Sequence, residues 1–427
     1  MSLLDDARSM SDDLVHLQRC LHREPEIGLD LPRTQERVLA ALAGLPLEIT
    51  TGCGASSVTA VLRGTAPAPS APLHPDPAAA NARPPAVLLR GDMDALAVQE
   101  RTGLDHASTT DGAMHACGHD LHTAMLVGAA HLLSAHHDRL PGDVVFMFQP
   151  GEEGWEGAQQ MIDEGVLDAS GRRVSAAYGL HVFSAELPHG QFCGRTGAIT
   201  SASAMLRVTV RGEGGHGSMP HRAHGPITAA AEMILALQTM VTRQFDVFDP
   251  VVLTVGVLRA GTRRTIIPDE AYFEATVRTF STRTGDQIEQ ATRRLLQGIA
   301  DGHNIEADIE FVPERPATIN HPAETALAAR TVAETFGERR YSELTHPLAC
   351  SEDFSRVLAQ VPGTFIAIGA GTPDSDPHTE PFNHSPRARF DETVLPDGAA
   401  LYAELALRAL DLAAASPDPT DRRGAPE

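Results

Sequence analysis

Phe146-Met-Phe-Gln-Pro-Gly-Glu-Glu-Gly-Trp155 is an apolar run that ends in two adjacent carboxylates. Val144 to Phe148 reads as a buried strand, because a short continuous apolar run bounded by Gly142 and by Pro150-Gly151 fits little else. Glu152 and Glu153 then stand just past its carboxyl end, where open α/β sheets place their ligands. Neighbouring carboxylates repel each other unless a cation or a shared proton intervenes. The pair therefore suggests one acid held by a metal and the other left as a base. Taken alone, two adjacent acids are more often a solvated turn, so the decision rests on what else reaches the same edge.

Val87-Leu-Leu89 is a second buried strand, and the chain leaves the core at Arg90-Gly-Asp-Met-Asp94, which puts two aspartates past a strand end. His115-Ala-Cys-Gly-His-Asp-Leu-His122 is the densest group of metal-ligating types in the chain. Residues two apart do not share a helical face, so Cys117 and His119 converge only from a turn, and Gly118 supplies the freedom for one. A helix starts beside it, since Leu121, Met125, Leu126, Ala129, Leu132 and Leu133 fall at three- and four-residue steps. His122, His131, His136 and His137 read as decoration of that helix. Ala176 to His181 is a further apolar strand, with His181 at its end.

Upstream, helical spacing runs from about Leu3 to Leu21 and from Thr34 to Leu45. His22-Arg-Glu-Pro-Glu-Ile-Gly28 lies between them as a polar turn. Ser57 to Leu62 alternates like a strand, and Ala66 to Pro85, rich in Ala and Pro without periodicity, reads as an extended surface loop. From Gly194 to Phe311 the texture changes to alternating strands with one wet face and two helices, in the order strand, helix, strand, strand, helix, strand of a ferredoxin-like unit. Its glycine-rich Gly212-Glu-Gly-Gly-His-Gly-Ser-Met-Pro-His221 lacks the spacing and the Lys of a phosphate loop. The expected fold is α/β, a catalytic domain with a mixed sheet flanked by helices, interrupted by an inserted α+β domain. The expected bounds are 1–193 and 312–415 for the catalytic domain, 194–311 for the insertion and 416–427 for a frayed tail.

The chain has 427 residues, 42% hydrophobic and 21% charged, which suits a globular protein of two or three domains. A formal net charge of -22 argues against nucleic acid or an anionic membrane as partner. Five scattered cysteines make a poor disulfide framework, and no apolar run is long enough to cross a bilayer. With acids at the amino terminus in place of a secretory signal, a cytoplasmic location is expected.

Seven blocks in order resemble the M20 metallopeptidase family, within it the amidohydrolase branch of aminoacylases, hippurate hydrolases and auxin-conjugate hydrolases. They are Gly91-Asp-Met-Asp-Ala-Leu96, His115-Ala-Cys-Gly-His-Asp120, Gln149-Pro-Gly-Glu-Glu-Gly154, Gly179-Leu-His181, Gly215-His216, Ser351-Glu-Asp-Phe354 and Asn383-His384. The resemblance implies two divalent ions (zinc, manganese, cobalt or nickel) held by Cys117, His119, Glu153, His181 and His384, with Cys117 bridging where other branches have an aspartate. It further implies Glu152 as general base, Asp94 as the carboxylate that orients a ligand, and His216 reaching the partner subunit's site, hence a homodimer formed through the insertion. Departures from the family pattern fall at Thr265-Ile-Ile-Pro268, where many relatives have Asn first, and at Gly225-Pro-Ile227, where many have Asp. The implied activity is hydrolysis of N-acyl amino acids. A dipeptidase or carboxypeptidase of the same architecture, or a silent amino-acid-binding homologue, are the alternatives.

Overall fold

The computed structural model describes residues 2–66 and 84–415. The expected frayed tail, and nearly all of the expected loop from Ala66 to Pro85, lie outside them. Two compact units are present: one comprises Met1–Gly197, Ile319–Thr345 and Arg356–Glu427, the other Ala198–Thr318 and His346–Ser355.

The first unit opens with α1 (Leu3–Ser9), α2 (Ser11–Arg23), α3 (Pro32–Ala41), β1 (Leu47–Thr51), β2 (Val58–Leu62) and β3 (Ala86–Asp92). It continues with α4 (His119–Ala135), β4 (Asp143–Gln149), α5 (Gly157–Asp163), β5 (Ala176–Phe183) and β6 (Phe192–Gly194). Where one helix was expected from Leu3 to Leu21 there are two. The chain breaks at Met10, which lets α1 pack on the last helix and α2 on α4. β3 runs three residues further than Val87-Leu-Leu89, so Arg90, Gly91 and Asp92 lie inside the sheet, not beyond it. Charged residues are tolerated there because the Arg90 guanidinium sits 2.7 Å from the Asp92 carboxylate, both fully buried.

β7 (Gly197–Thr200) leads to β8 (Ala202–Arg211), β9 (Gly215–His216), α6 (Pro226–Gln244), β10 (Val252–Ala260), β11 (Ile266–Ile267), β12 (Glu270–Thr279), α7 (Thr282–His303), β13 (Glu306–Arg315) and β14 (Thr318–Asn320). In the second unit β10, β12, β8 and β13 form, in that order, a wholly antiparallel sheet with α6 and α7 on one face, a ferredoxin-like arrangement. Alternate residues Leu206, Val208 and Val210 meet Phe273, Met233, Leu237 and Leu296 in its own core, which is why the strands alternate in sequence.

The chain ends with α8 (Pro322–Phe336), β15 (Tyr341–Glu343), α9 (Ser355–Leu358), β16 (Gly363–Gly369) and α10 (Leu395–Ala415). The sheet of the first unit has the order β1-β2-β4-β3-β5-β16-β6-β15. Its centre, β4-β3-β5-β16, is parallel, and antiparallel pairs flank it, so the expected mixed sheet is present. α4 and α10 pack on each other and on β3, and their apolar faces close the main core. Parallel central strands put β3, β4 and β5 with their carboxyl ends at one edge, which gathers Asp94, Glu152 and His181 there. No helix among the described residues is long and apolar enough to cross a membrane.

Candidate metal centre

At the end of β4 the chain turns through Pro150-Gly151 into the acid pair, and the turn is pinned from the neighbouring strand. The backbone N–H groups of Glu152 and Glu153 donate to the two carboxylate oxygens of buried Asp94, at 2.9 and 3.0 Å. One carboxylate thus fixes the directions in which both glutamates leave the backbone.

Cys117 and His119 flank Gly118, which precedes α4 with φ +83; a Cβ at Gly118 would lie 2.3 Å from the Val182 side chain. Only glycine fits that turn. The Cys117 sulfur lies 3.4 Å from His181 Nε2 and 3.3 Å from His384 Nε2. His181 Nδ1 is 2.9 Å from the Val182 carbonyl, which only accepts, so Nδ1 carries the proton and Nε2 presents its lone pair toward the sulfur. His384 takes the left-handed backbone region, φ +71, and its N–H donates to the Ala116 carbonyl at 2.8 Å. A non-glycine residue in that region persists only where its surroundings hold it, and such residues gather at functional sites. Its Nε2 lies 3.1 Å from Glu153 Oε1.

Donor atoms of Cys117, His119 and His181 lie within 4.8 Å of one another, as do those of Cys117, Glu153 and His384, and those of His119, Glu152 and Glu153. Cys117 belongs to two of these groups. The surroundings suit divalent cations. Both ring nitrogens of His119 are buried without a hydrogen-bond partner; the nearest carboxylate oxygens, on Asp94 and Asp92, are 3.5 Å away, too far for a hydrogen bond. Burial and the Glu153 carboxylate push the Cys117 thiol well up. Burial raises Glu153, but His384 and His119 hold it below its ordinary value. Burial, with His122 nearby, drives His181 well down and keeps it neutral. Against the penalty of burial, Asp92 raises His119, so the pocket already favours positive charge there. Thiolate and imidazole are donors for zinc, cobalt or nickel, and carboxylates also admit manganese.

Behind these groups runs a chain that sequence reading missed. His122, expected to decorate α4, is fully buried. Its Nε2 accepts the Val182 N–H at 2.8 Å, so its Nδ1 donates to Asp92 at 2.5 Å, and the Arg90 charge keeps Asp92 ionised. The bonds join β3, α4 and the residue after His181. His122 lies three residues after His119 on one helix, and that spacing was the available signal. Asn383 is the second omission. Its amide NH₂ faces the Val182 and Cys117 carbonyls at 3.0 and 3.3 Å, and its oxygen accepts from the Ser184 N–H at 3.0 Å. His216 lies in the second unit, on β9 opposite Ile266, exposed, with its Nδ1 accepting the Ser218 N–H at 3.1 Å.

The model of peptidase family M20/M25/M40 matches residues 88–408. The chain is 35% identical over 403 residues to an IAA-amino acid hydrolase ILR1-like 4 of Arabidopsis thaliana, covering 93% of this chain and 86% of that one. To thermostable carboxypeptidase 1 of Saccharolobus solfataricus it is 32% identical, covering 95% and 98%. To an N-acetylcysteine deacetylase of Bacillus subtilis it is 31% identical, covering 93% and 97%. Among solved structures, a Bacillus subtilis protein described as a dinuclear metal-binding peptidase of the M20 family matches with TM-score 0.79 and 28% identity, over 94% of this chain and 99% of that one.

Proposed function

The chain belongs to peptidase family M20/M25/M40, a hydrolase of amide bonds, and from that premise we propose that it cleaves N-acyl amino acids into a carboxylic acid and a free amino acid. The observation that carries the reading is the convergence of Cys117, His119, Glu153, His181 and His384 beside Glu152 at one sheet edge. Similarity to an IAA-amino acid hydrolase and to an N-acetylcysteine deacetylase favours an acyl-amino acid over a peptide.

In this reading Cys117, His119, Glu153, His181 and His384 would hold two divalent ions. Bound there, the ions supply Lewis acidity and an acidified water. Glu152, buried and oriented by Asp94 through its own N–H, takes a proton from the attacking water and returns it to the departing amine. His216 of the partner subunit donates to the carbonyl oxygen as charge develops on it. The homodimer this requires is formed through the second unit, whose edge strand β10 exposes Val252 and Leu258 and whose helix α6 exposes Leu235. The setting is the reducing cytoplasm.

Similarity to a carboxypeptidase supports one competing reading, a peptidase acting on unblocked peptides. Specificity constants on paired substrates decide between them. Preference for N-acetyl and N-benzoyl amino acids over dipeptides of the same residue is expected; the reverse order overturns the proposal.

A further inference from the structure

The stretch His22 to Gly28 contributes no donor to the metal centre, yet it touches three of the turns around it. His22, at the end of α2, is buried with its ring between two carboxylates: Nδ1 is 2.8 Å from Asp120 and Nε2 is 3.3 Å from Glu100. Asp120 follows His119 directly. Its Oδ1 has no hydrogen-bond partner, and its Oδ2 receives His22 and the Gln18 amide at 2.6 Å. Burial lowers His22, but the two carboxylates more than offset it and hold the ring up to about 10, an imidazolium bridging two anions. Four residues on, the Glu26 carbonyl accepts the Ala95 N–H at 2.8 Å, and Ile27 bridges to the same residue, next to Asp94. At the far end Gly28, φ +85, lies under the ring of Trp155, so that a Cβ there would come within 3.0 Å of it. Trp155 stands two residues after Glu153.

Each contact falls beside a group of the centre and none falls on it. The middle of the stretch is itself anchored: the Glu26 carboxylate accepts the Thr34 N–H at 2.8 Å and the Arg33 side chain at 3.0 Å. We propose that His22–Gly28 is a positioning strap, which holds the turns bearing His119, Asp94 and Glu152-Glu153 in register and thereby sets the affinity and geometry of the metal centre. His22 is its principal positioning residue, acting through Asp120. The inference rests on the metal reading given above.

The test uses the chain's single tryptophan, Trp155, and cobalt(II) as probe. Metal-stripped full-length wild type, His22→Gln and Gly28→Ala are titrated with cobalt(II), following the visible d–d bands, the thiolate charge-transfer band and Trp155 emission. His22→Gln keeps a donor toward Asp120 but removes the charge. Gly28→Ala acts at the opposite end, so a folding failure of one variant leaves the other to decide. Both are expected to bind cobalt at least tenfold more weakly than wild type and with altered d–d bands, while circular dichroism shows a retained fold. A merely structural strap would leave the spectrum of the bound ion unchanged, so wild-type bands with affinity within twofold in a folded variant overturn the inference. Failure of wild type to bind cobalt, or a charge-transfer band that survives in Cys117→Ser, would instead overturn the metal reading itself.

Discussion

Glu152 and Glu153 are neighbours in sequence, both held through their N–H groups by Asp94, and the Glu153 carboxylate faces His384 and His119. Replacing Glu152 with Gln should lower kcat by about 10²–10⁴-fold. Bound metal, measured by elemental analysis, should stay at the wild-type level, because the role assigned to Glu152 is proton transfer. His22 makes a separate prediction. Its folded-state value, about 10, lies above the 6.5 of a free imidazole, so its stabilising contribution is complete below pH 6.5 and is lost as pH rises through about 10. Urea unfolding of wild type and His22→Leu should therefore differ most below about pH 6.5 and converge above about pH 10. The gathering of Cys117, His119, Glu152, Glu153 and His181 was legible because Glu152, Glu153 and His181 close apolar strand runs, while Cys117 and His119 flank a glycine where a helix starts. For His122 the three-residue step from His119 was the one clue, its partner Val182 being far away in sequence, and for Asn383 there was none, since its partners are Ser184 and Cys117.

Among the elements, buried strands and amphipathic helices were readable from apolar runs and spacing, and the misses have a common cause. β1 is an edge strand whose residues are mostly exposed, so it carries no apolar run, and only its pairing with β2 makes it a strand. The extension of β3 through Asp92 is equally hidden, because it depends on a charge pair closed inside the fold. That pair gives a prediction: Arg90→Leu leaves Asp92 buried without its counter-ion and should cost about 3–5 kcal/mol, read from chemical denaturation. In the second unit the Ser281 hydroxyl caps α7, accepting the Thr284 N–H at 3.1 Å and donating to Asp249 at 2.7 Å. Ser281→Ala should cost about 0.5–2 kcal/mol. Calorimetry should then show the second unit's transition lowered and, if the units melt separately, the first unit's unmoved.

At the scale of the whole molecule, the two units each enclose their own core, and the proposed homodimer assigns them different tasks. Light scattering should report about twice the 45.4 kDa of one chain, and Leu258→Arg on the exposed edge strand should reduce that mass to one chain's. The reaction itself tests the central claim most directly. Metal-stripped protein is assayed on a panel of N-acyl amino acids before and after addition of zinc, manganese, cobalt or nickel, with Glu152→Gln in parallel. Release of free amino acid that appears only with metal, and falls away in Glu152→Gln at equal metal content, is the predicted result. Fully loaded wild type that hydrolyses no N-acyl amino acid, or Glu152→Gln that hydrolyses it at the wild-type rate, would contradict it.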